Sequence, residues 1–363
     1  MDFGLSADQV LFQTTLRRFL AEKCPTTRVR TIMETETAHD PDLWRDLAAL
    51  GVTGLLVPVE YGGSGQELLD LALAAEELGY ACTPGPFLGH ALATVCVLEG
   101  ASEAQKKDWL PAMASGEVVA TVAWGEAGSQ WNPEAWNTRF DGKGLTGEKL
   151  FVPYGNVADF LCVGAKDPAG EVRLYRVDRD APGVTVRALS VVDMTRKVQH
   201  VRFENAPATL LDGAPEALSR AIDAGCILVA ADAFGGSRRC LEMTVEYAKT
   251  REQFGQVIGA FQAVKHQLAN MACELEPALS LWWYAAHAYD HIRDQAPRHA
   301  AMVKAHLTDL FDRITRDATE LHGGIGFTWE YDLHLWFRRA IFDRGFLGDA
   351  QYHRERAARL AGW

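Results

Sequence analysis

Residues 250–266 read TREQFGQVIGAFQAVKH and gather a guanidinium (Arg251), an aromatic ring (Phe254), a turn-forming Gly255, an amide (Gln262) and a second cation (Lys265). The two cations supply positive charge, the amide offers a donor and an acceptor, and the ring offers a flat apolar face. Such a group suits a large anionic ligand.

Two long helices must position this connection. Residues 217–249 form one apolar-faced helix and 261–292 a second. In the second, Val264, Leu268, Met271, Leu275, Leu279 and Trp283 recur at three- and four-residue spacing, which makes a bundle stripe. Pro277 removes one backbone donor and predicts a kink there. A third helix follows over 299–322, and a last helical stretch runs roughly 329–361. Trp282, Trp283 and Tyr284 read as bundle core or subunit interface, and HRERAARL (353–360) as a solvated or interfacial helix face.

Ahead of the bundle the period is that of strands: 118–124, 159–165, 172–177 and 184–192 are rich in β-branched and aromatic residues, with turn formers between them. DGKG (141–144) reads as a hairpin turn and DAPG (180–183) as another turn. Residues 1–115 are again helical. Ser6 and Gln9 form a capping-box pattern, Gly51 is a natural stop for a short helix over 41–50, and PVEYGGSG (58–65) must be a loop.

The composition limits what the ligand can be. Lys and Arg total 36 against 48 Asp and Glu, a formal charge of −12, so nucleic-acid backbones feel no general attraction and any anion must be held locally. The seven cysteines are scattered and never spaced as CxxC, and the histidines show no metal-ligand spacing, which signals neither a disulfide framework nor a metal site. The N-terminus lacks a basic region followed by an apolar run, and no window approaches a membrane span. The expectation is a soluble, cytoplasmic protein.

With these motifs in order, the chain resembles the acyl-CoA dehydrogenase family along essentially its whole length. PVEYGGSG (58–65) is similar to the family's Pro-x-x-Tyr-Gly-Gly loop, and VRFENAPATLLDG (201–213) to its exit from the β domain. TREQFGQVIGAFQAVKH resembles its Arg-x-x-Phe-Gly…Gln signature, and LHGGIGFTWEYDLHLWFRRA (321–340) its Gly-Gly-x-Gly motif. The resemblance implies an α+β, mostly α fold: a helical N-terminal domain (1–115), a central antiparallel β domain (116–212) and a C-terminal four-helix bundle (213–363). It implies FAD as cofactor and α,β-dehydrogenation of an acyl-CoA thioester, with an electron-transfer protein as partner. In such enzymes a neighbouring subunit completes each flavin site. Arg251, Phe254 and Gln262 would then reach a partner's FAD, the guanidinium gripping pyrophosphate and Phe254 covering adenine. Gly323 and Gly324 would let backbone N–H groups approach a phosphate.

The chain departs from the family where its own chemistry should lie. The reaction needs a carboxylate base opposite the flavin. Many members carry a glutamate before the final helix, where this chain has Leu347; others carry it early in the long bundle helix, where this chain has Gly225, with Cys226 in place of an arginine. The family's Thr-Glu-Pro-Gly-Ala-Gly-Ser loop is replaced by WGEAGSQ (124–130), in which Gly128 and Ser129 could still serve a phosphate. The flavin-facing strand reads Phe151-Val152-Pro153, and Glu320 stands where a glutamine is usual, its charge unwelcome beside a pyrophosphate unless a cation pairs with it.

Some bacterial relatives are assembled from two different family chains, only one of which carries the base. This chain is similar to the one that lacks it, which implies a second acyl-CoA dehydrogenase-like subunit in a heteromer. The alternatives are a self-sufficient homomer using Asp349 as base, a flavin monooxygenase or oxidase on the same fold, and a non-catalytic assembly or binding subunit. Against the homomer, Asp349 reads more simply as an N-cap and His353 as a surface or interface residue.

Overall fold

The computed structural model describes residues 4–128, 131–214 and 216–363. Helices α1 (Ala7–Lys23), α2 (Thr26–Met33), α3 (Pro41–Ala49), α4 (Leu68–Tyr80), α5 (Phe87–Gly100) and α6 (Glu103–Ala114) open the chain. The capping box of Ser6 and Gln9 starts α1, and Gly51, at φ +82°, ends the turn after α3. In the 58–65 loop a Cβ on Gly63 would fall 2.1 Å from the Val57 carbonyl oxygen, so only glycine fits that crossing.

Strands β1 (Ala120–Ala123), β2 (Arg139–Phe140), β3 (Leu145–Pro153), β4 (Phe160–Lys166), β5 (Val172–Asp178), β6 (Val184–Ala188), β7 (Val198–Ala206) and β8 (Thr209–Leu210) form one sheet. Its order is β6-β7-β3-β2-β4-β5-β8, with β1 beside β4. Pairing is antiparallel except that β1 runs parallel to β4 and β2 meets β4 through one parallel pair. The strand expected over 184–192 ends at Ala188. From there the chain crosses toward the bundle, and Leu189 donates one last ladder bond to Val198.

The bundle comprises α7 (Ala217–Thr250), α8 (Gln262–His291), α9 (Ala296–His322), α10 (Leu333–Gly345) and α11 (Ala350–Leu360), with a hairpin of β9 (Glu252–Gln253) and β10 (Gln256–Val257) between α7 and α8. Helix α9 lies against all four other helices, and α8 continues through Pro277. The small residues of α7 allow close approach: a Cβ on Gly235 would meet the Glu76 carbonyl oxygen of α4 at 1.9 Å, and one on Gly236 the Phe311 ring of α9 at 2.3 Å. The stretch expected as one helical run over 329–361 is two helices, because Leu347 (φ +62°) and Gly348 (φ +103°) reverse the backbone between them. Among the described residues no helix is long and apolar enough to cross a membrane.

Candidate functional site

The β9–β10 hairpin turns on two residues, Phe254 and Gly255, at φ +55° and +80°. Positive φ at both positions is what a type I′ turn requires, and it suits the twist of a tight hairpin. A phenylalanine pays for that conformation sterically, yet its ring is 93% exposed. The neighbouring chain is firm: Ile258 N–H donates to the Arg251 carbonyl at 2.8 Å, Gly259 packs on Ala248, and the Phe261 ring meets Phe254 edge-on at 6.2 Å. Arg251, Gln262 and Lys265 are exposed alongside. Among the described residues neither the Arg251 guanidinium nor the Gln262 amide has a side-chain partner.

The glycine motif lies at the same end of the bundle. Tyr247, one turn before Arg251, stacks on His322 at 4.4 Å, and His322 directly precedes Gly323. Its Nδ1–H donates to the Ala318 carbonyl at 2.7 Å and Nε2 accepts from the Tyr331 hydroxyl at 3.0 Å, while burial lowers its pKa, so this ring is a neutral strut. Gly323 (φ +62°) and Gly324 have open space where a Cβ would stand, whereas Gly326 is pressed against the Thr319 carbonyl. Two glycines thus face outward and one faces the fold. Glu320 is exposed and has no ion pair among the described residues. Ser129 lies outside the described residues; Gly128 is at φ +76° with open space around it.

The two positions expected to carry the base touch each other. Leu347, only 3% exposed, lies so close to Gly225 that a Cβ there would be 2.5 Å from its Cδ1, with Leu92 at 3.2 Å. Two places far apart in sequence converge on one point, and an aliphatic side chain fills it. Asp349 is exposed and caps α11, accepting the Tyr352 N–H at 2.8 Å.

Beneath the turn lie two groups that sequence reading did not place there. His353, expected at a surface or interface, is fully buried. The reason is that α11 packs this face onto α9 and α7. Its Nε2–H donates to the Leu347 carbonyl at 2.9 Å, and burial together with Lys304 and Arg356 pushes its pKa down to about 3. Lys304 is also fully buried; its Nζ donates to the carbonyls of Gly348 at 2.8 Å and Arg344 at 3.3 Å, and burial lowers its pKa to about 8. A signal existed: Lys304 sits on the α9 stripe between Ala300 and Leu307, where a cation is out of place.

A cleft of about 340 Å³ opens between the sheet and α10. Phe151 reaches it from a bulge in β3, where the β3–β7 register shifts and Phe151 takes φ +57°. Its ring stacks on Trp131 at 6.2 Å, and Trp131 meets Phe346 edge-on at 5.3 Å. Trp131 also covers Gly125, 3.1 Å from where a Cβ would be. Pro153, at the end of β3, offers no N–H. A flavin here would meet rings and a proline where the family pattern supplies a hydroxyl and a donor, so these residues do not fit the cofactor well.

Asp193 in the cleft wall is committed elsewhere, accepting from Thr195 N–H at 2.8 Å and from Arg339 Nε at 3.1 Å. The fully buried Arg339 also reaches Asp232 at 3.2 Å and the Thr83 carbonyl at 3.0 Å, and Arg196 reaches Asp232 at 2.5 Å. Asp343, buried beside Asp232, is pushed well up by burial and by that neighbouring charge. Its burial favours the neutral form, and the two guanidinium groups of the cluster face the carboxylates of Asp193 and Asp232. This cluster fastens α7, α10, the 193–196 segment and the N-terminal helices together.

Fold, motif order and site position define the class. "Acyl-CoA dehydrogenase, N-terminal domain" matches residues 6–117 and "Acyl-CoA dehydrogenase, C-terminal domain" residues 212–361. The chain belongs to the acyl-CoA dehydrogenase family of oxidoreductases. It is 31% identical to acyl-CoA dehydrogenase IpdE2 of Mycolicibacterium smegmatis over 95% of this chain and 96% of that one. Against acyl-CoA dehydrogenase FadE34 of Mycobacterium tuberculosis the identity is 35% over 85% of this chain and 41% of the relative. Among solved structures, a variant of the Tcur3481-Tcur3483 steroid ACAD superposes with a TM-score of 0.91 at 30% identity, covering 98% of each chain.

Proposed function

We propose that this chain is the subunit of a heteromeric FAD-dependent acyl-CoA dehydrogenase that lacks its own base and completes the flavin site of a second, related subunit. The observation that carries the reading is the contact of Leu347 with Gly225. Both places where the family puts its glutamate meet there, and neither can take a proton from the carbon next to the thioester carbonyl. The other end of the bundle supports it, with an Arg251 that has no side-chain partner among the described residues, an exposed Phe254 on a firm hairpin, and outward-facing Gly323 and Gly324.

In the assembly, Arg251 and the Gly323–Gly324 backbone would hold the pyrophosphate of the partner's FAD, with Phe254 against the adenine and Gln262 as a polar contact. FAD bound on the partner would supply the hydride acceptor, with an electron-transfer protein as the oxidant. The similar Tcur3481-Tcur3483 protein is a steroid ACAD, and we extend a two-part assembly and a ring-bearing acyl-CoA substrate to this chain. Asp349 as a replacement base is disfavoured, since its carboxylate caps α11 and is exposed.

The test is to isolate the tagged chain alone and with whatever second chain co-purifies from its host, measuring FAD per chain by absorbance. Alone it should hold little FAD. In the complex, Arg251→Ala should lower flavin content while the two chains stay associated. A stoichiometric yellow homodimer that bleaches on mixing with an acyl-CoA refutes the reading.

A further inference from the structure

The cleft beside α10 has a wall chemistry of its own. Its aromatic rings are fixed: Phe151 is aimed into it at the cost of a left-handed backbone, Trp131 stacks on Phe151, and Phe342 stacks on Phe346 at 5.2 Å. Strain held at a cavity wall marks a position kept for what it contacts. The lip is apolar too, with Val192 52% and Ile341 38% exposed. A volume of about 340 Å³ lies at the lower end of the roughly 300–1,000 Å³ usual for small-molecule sites.

One cation stands at this lip. Arg338 is one turn before Ile341 and Phe342 on α10, so the three share a helix face. Its Nη1–H donates to the carbonyl of Val192 at 3.4 Å, and the guanidinium lies over the Trp329 ring at 5.1 Å. Among the described residues it has no carboxylate partner, although the chain carries a net charge of −12. Asp193, the carboxylate in the wall, is already neutralised by Arg339.

We propose that this cleft binds a rigid, ring-bearing amphiphile with one anionic group, its rings between Phe151, Trp131 and Phe346 and its anion at Arg338. Flat, fixed aromatic walls favour a rigid ring system over a flexible chain, which would lose more freedom on binding. The site lies on this chain's own surface and does not depend on the partner's flavin.

The probe is cholate, a rigid polycyclic carboxylate, titrated calorimetrically into the purified protein, with its neutral methyl ester and riboflavin 5′-phosphate as comparisons. Cholate should bind saturably at one site per chain. Arg338→Gln should weaken it by about tenfold, the scale of one charge-assisted hydrogen bond, and should leave the methyl ester unaffected. Val192→Glu, a change at an exposed position, should abolish binding of both. The proposal is overturned if cholate gives no saturable heat up to millimolar concentration, or if both variants bind it as the wild type does. It is also overturned if riboflavin 5′-phosphate binds more tightly, which would make the cleft a flavin site.

Discussion

Replacing Gly225 with alanine tests the contact on which the functional reading rests. In a helix interior this change ordinarily stabilises by about 0.8–1.0 kcal/mol. Here the new methyl group would lie 2.5 Å from Leu347 Cδ1 and 3.2 Å from Leu92 Cδ2, against a favourable carbon–carbon separation of about 3.5–4.0 Å. The Leu347 backbone is held through its own carbonyl by His353 and the next one by Lys304. Its side chain, 3% exposed, has little room to turn aside, with Leu92 closing the other side of the new methyl group at 3.2 Å. Overpacking of this kind costs about 1–3 kcal/mol, so after the helix gain the net effect should be a loss of about 0–2 kcal/mol. Leu347→Gly supplies the second arm of a double-mutant cycle. It suits φ +62°, relieving about 1–2 kcal/mol of backbone strain, and it vacates the space. In that background Gly225→Ala should stabilise, giving a coupling of roughly 2 kcal/mol. Guanidinium unfolding at fixed protein concentration, followed by tryptophan fluorescence with the slope checked for constancy, measures the cycle. If alanine at 225 stabilises the wild type, or destabilises both backgrounds equally, the two positions do not touch.

Other outcomes follow from individual groups. Asp349→Ala should cost about 1 kcal/mol through loss of the α11 cap and leave turnover of the assembled enzyme intact; a collapse of turnover with flavin content preserved would make Asp349 catalytic. Burial and the neighbouring Glu77 raise the pKa of Glu76 from 4.5 to about 8. The folded state holds that proton longer than the unfolded one, so this contribution is complete below pH 4.5 and is lost as pH rises to about 8. Glu76→Gln should therefore flatten the fall in melting temperature across that window, and an unchanged profile would count against the shift. Lys304, lowered from 10.5 to about 8, has the opposite sign: the unfolded chain binds more protons between those values, so stability rises with pH there. Lys304→Met should abolish the rise, as melting curves from pH 8 to 10.5 would show.

Much of the fold could be read from periodicity, because helices such as α3 and α9 bury one face and expose the other, whereas α4, α5, β1 and β4 are buried nearly all round and read as continuous apolar runs. Strands β3 and β7 are harder to see, since charged residues such as Glu148, Lys149, Arg202 and Glu204 interrupt their apolar pattern. Lys149 is nonetheless fully buried, paired with Glu126 at 2.9 Å. The break between α10 and α11 escapes the pattern for another reason: Leu347 is an ordinary helix former held in a left-handed conformation by side chains from elsewhere in the fold. Residue types and spacing singled out Arg251, Phe254 and Gln262 as candidates but could not reveal that Phe254 stands in solvent. It could not reveal either that positions 225 and 347 share one volume, since contacts across 122 residues of sequence belong to packing.

That shared volume also bears on descent. A chain with leucine at 347 and the space over Gly225 closed does not accept a glutamate at 225 without displacing its neighbours, because the first atom of the new side chain would lie 2.5 Å from Leu347 Cδ1. The leucine would have to shrink first, opening a void beside Leu92 in a chain that gains no activity from the loss. Packing thus acts as a ratchet. If the chemistry belongs to another subunit, as proposed, the geometry of this turn makes placing a glutamate at position 225 an uphill route of at least two substitutions, each to be accepted before either is useful.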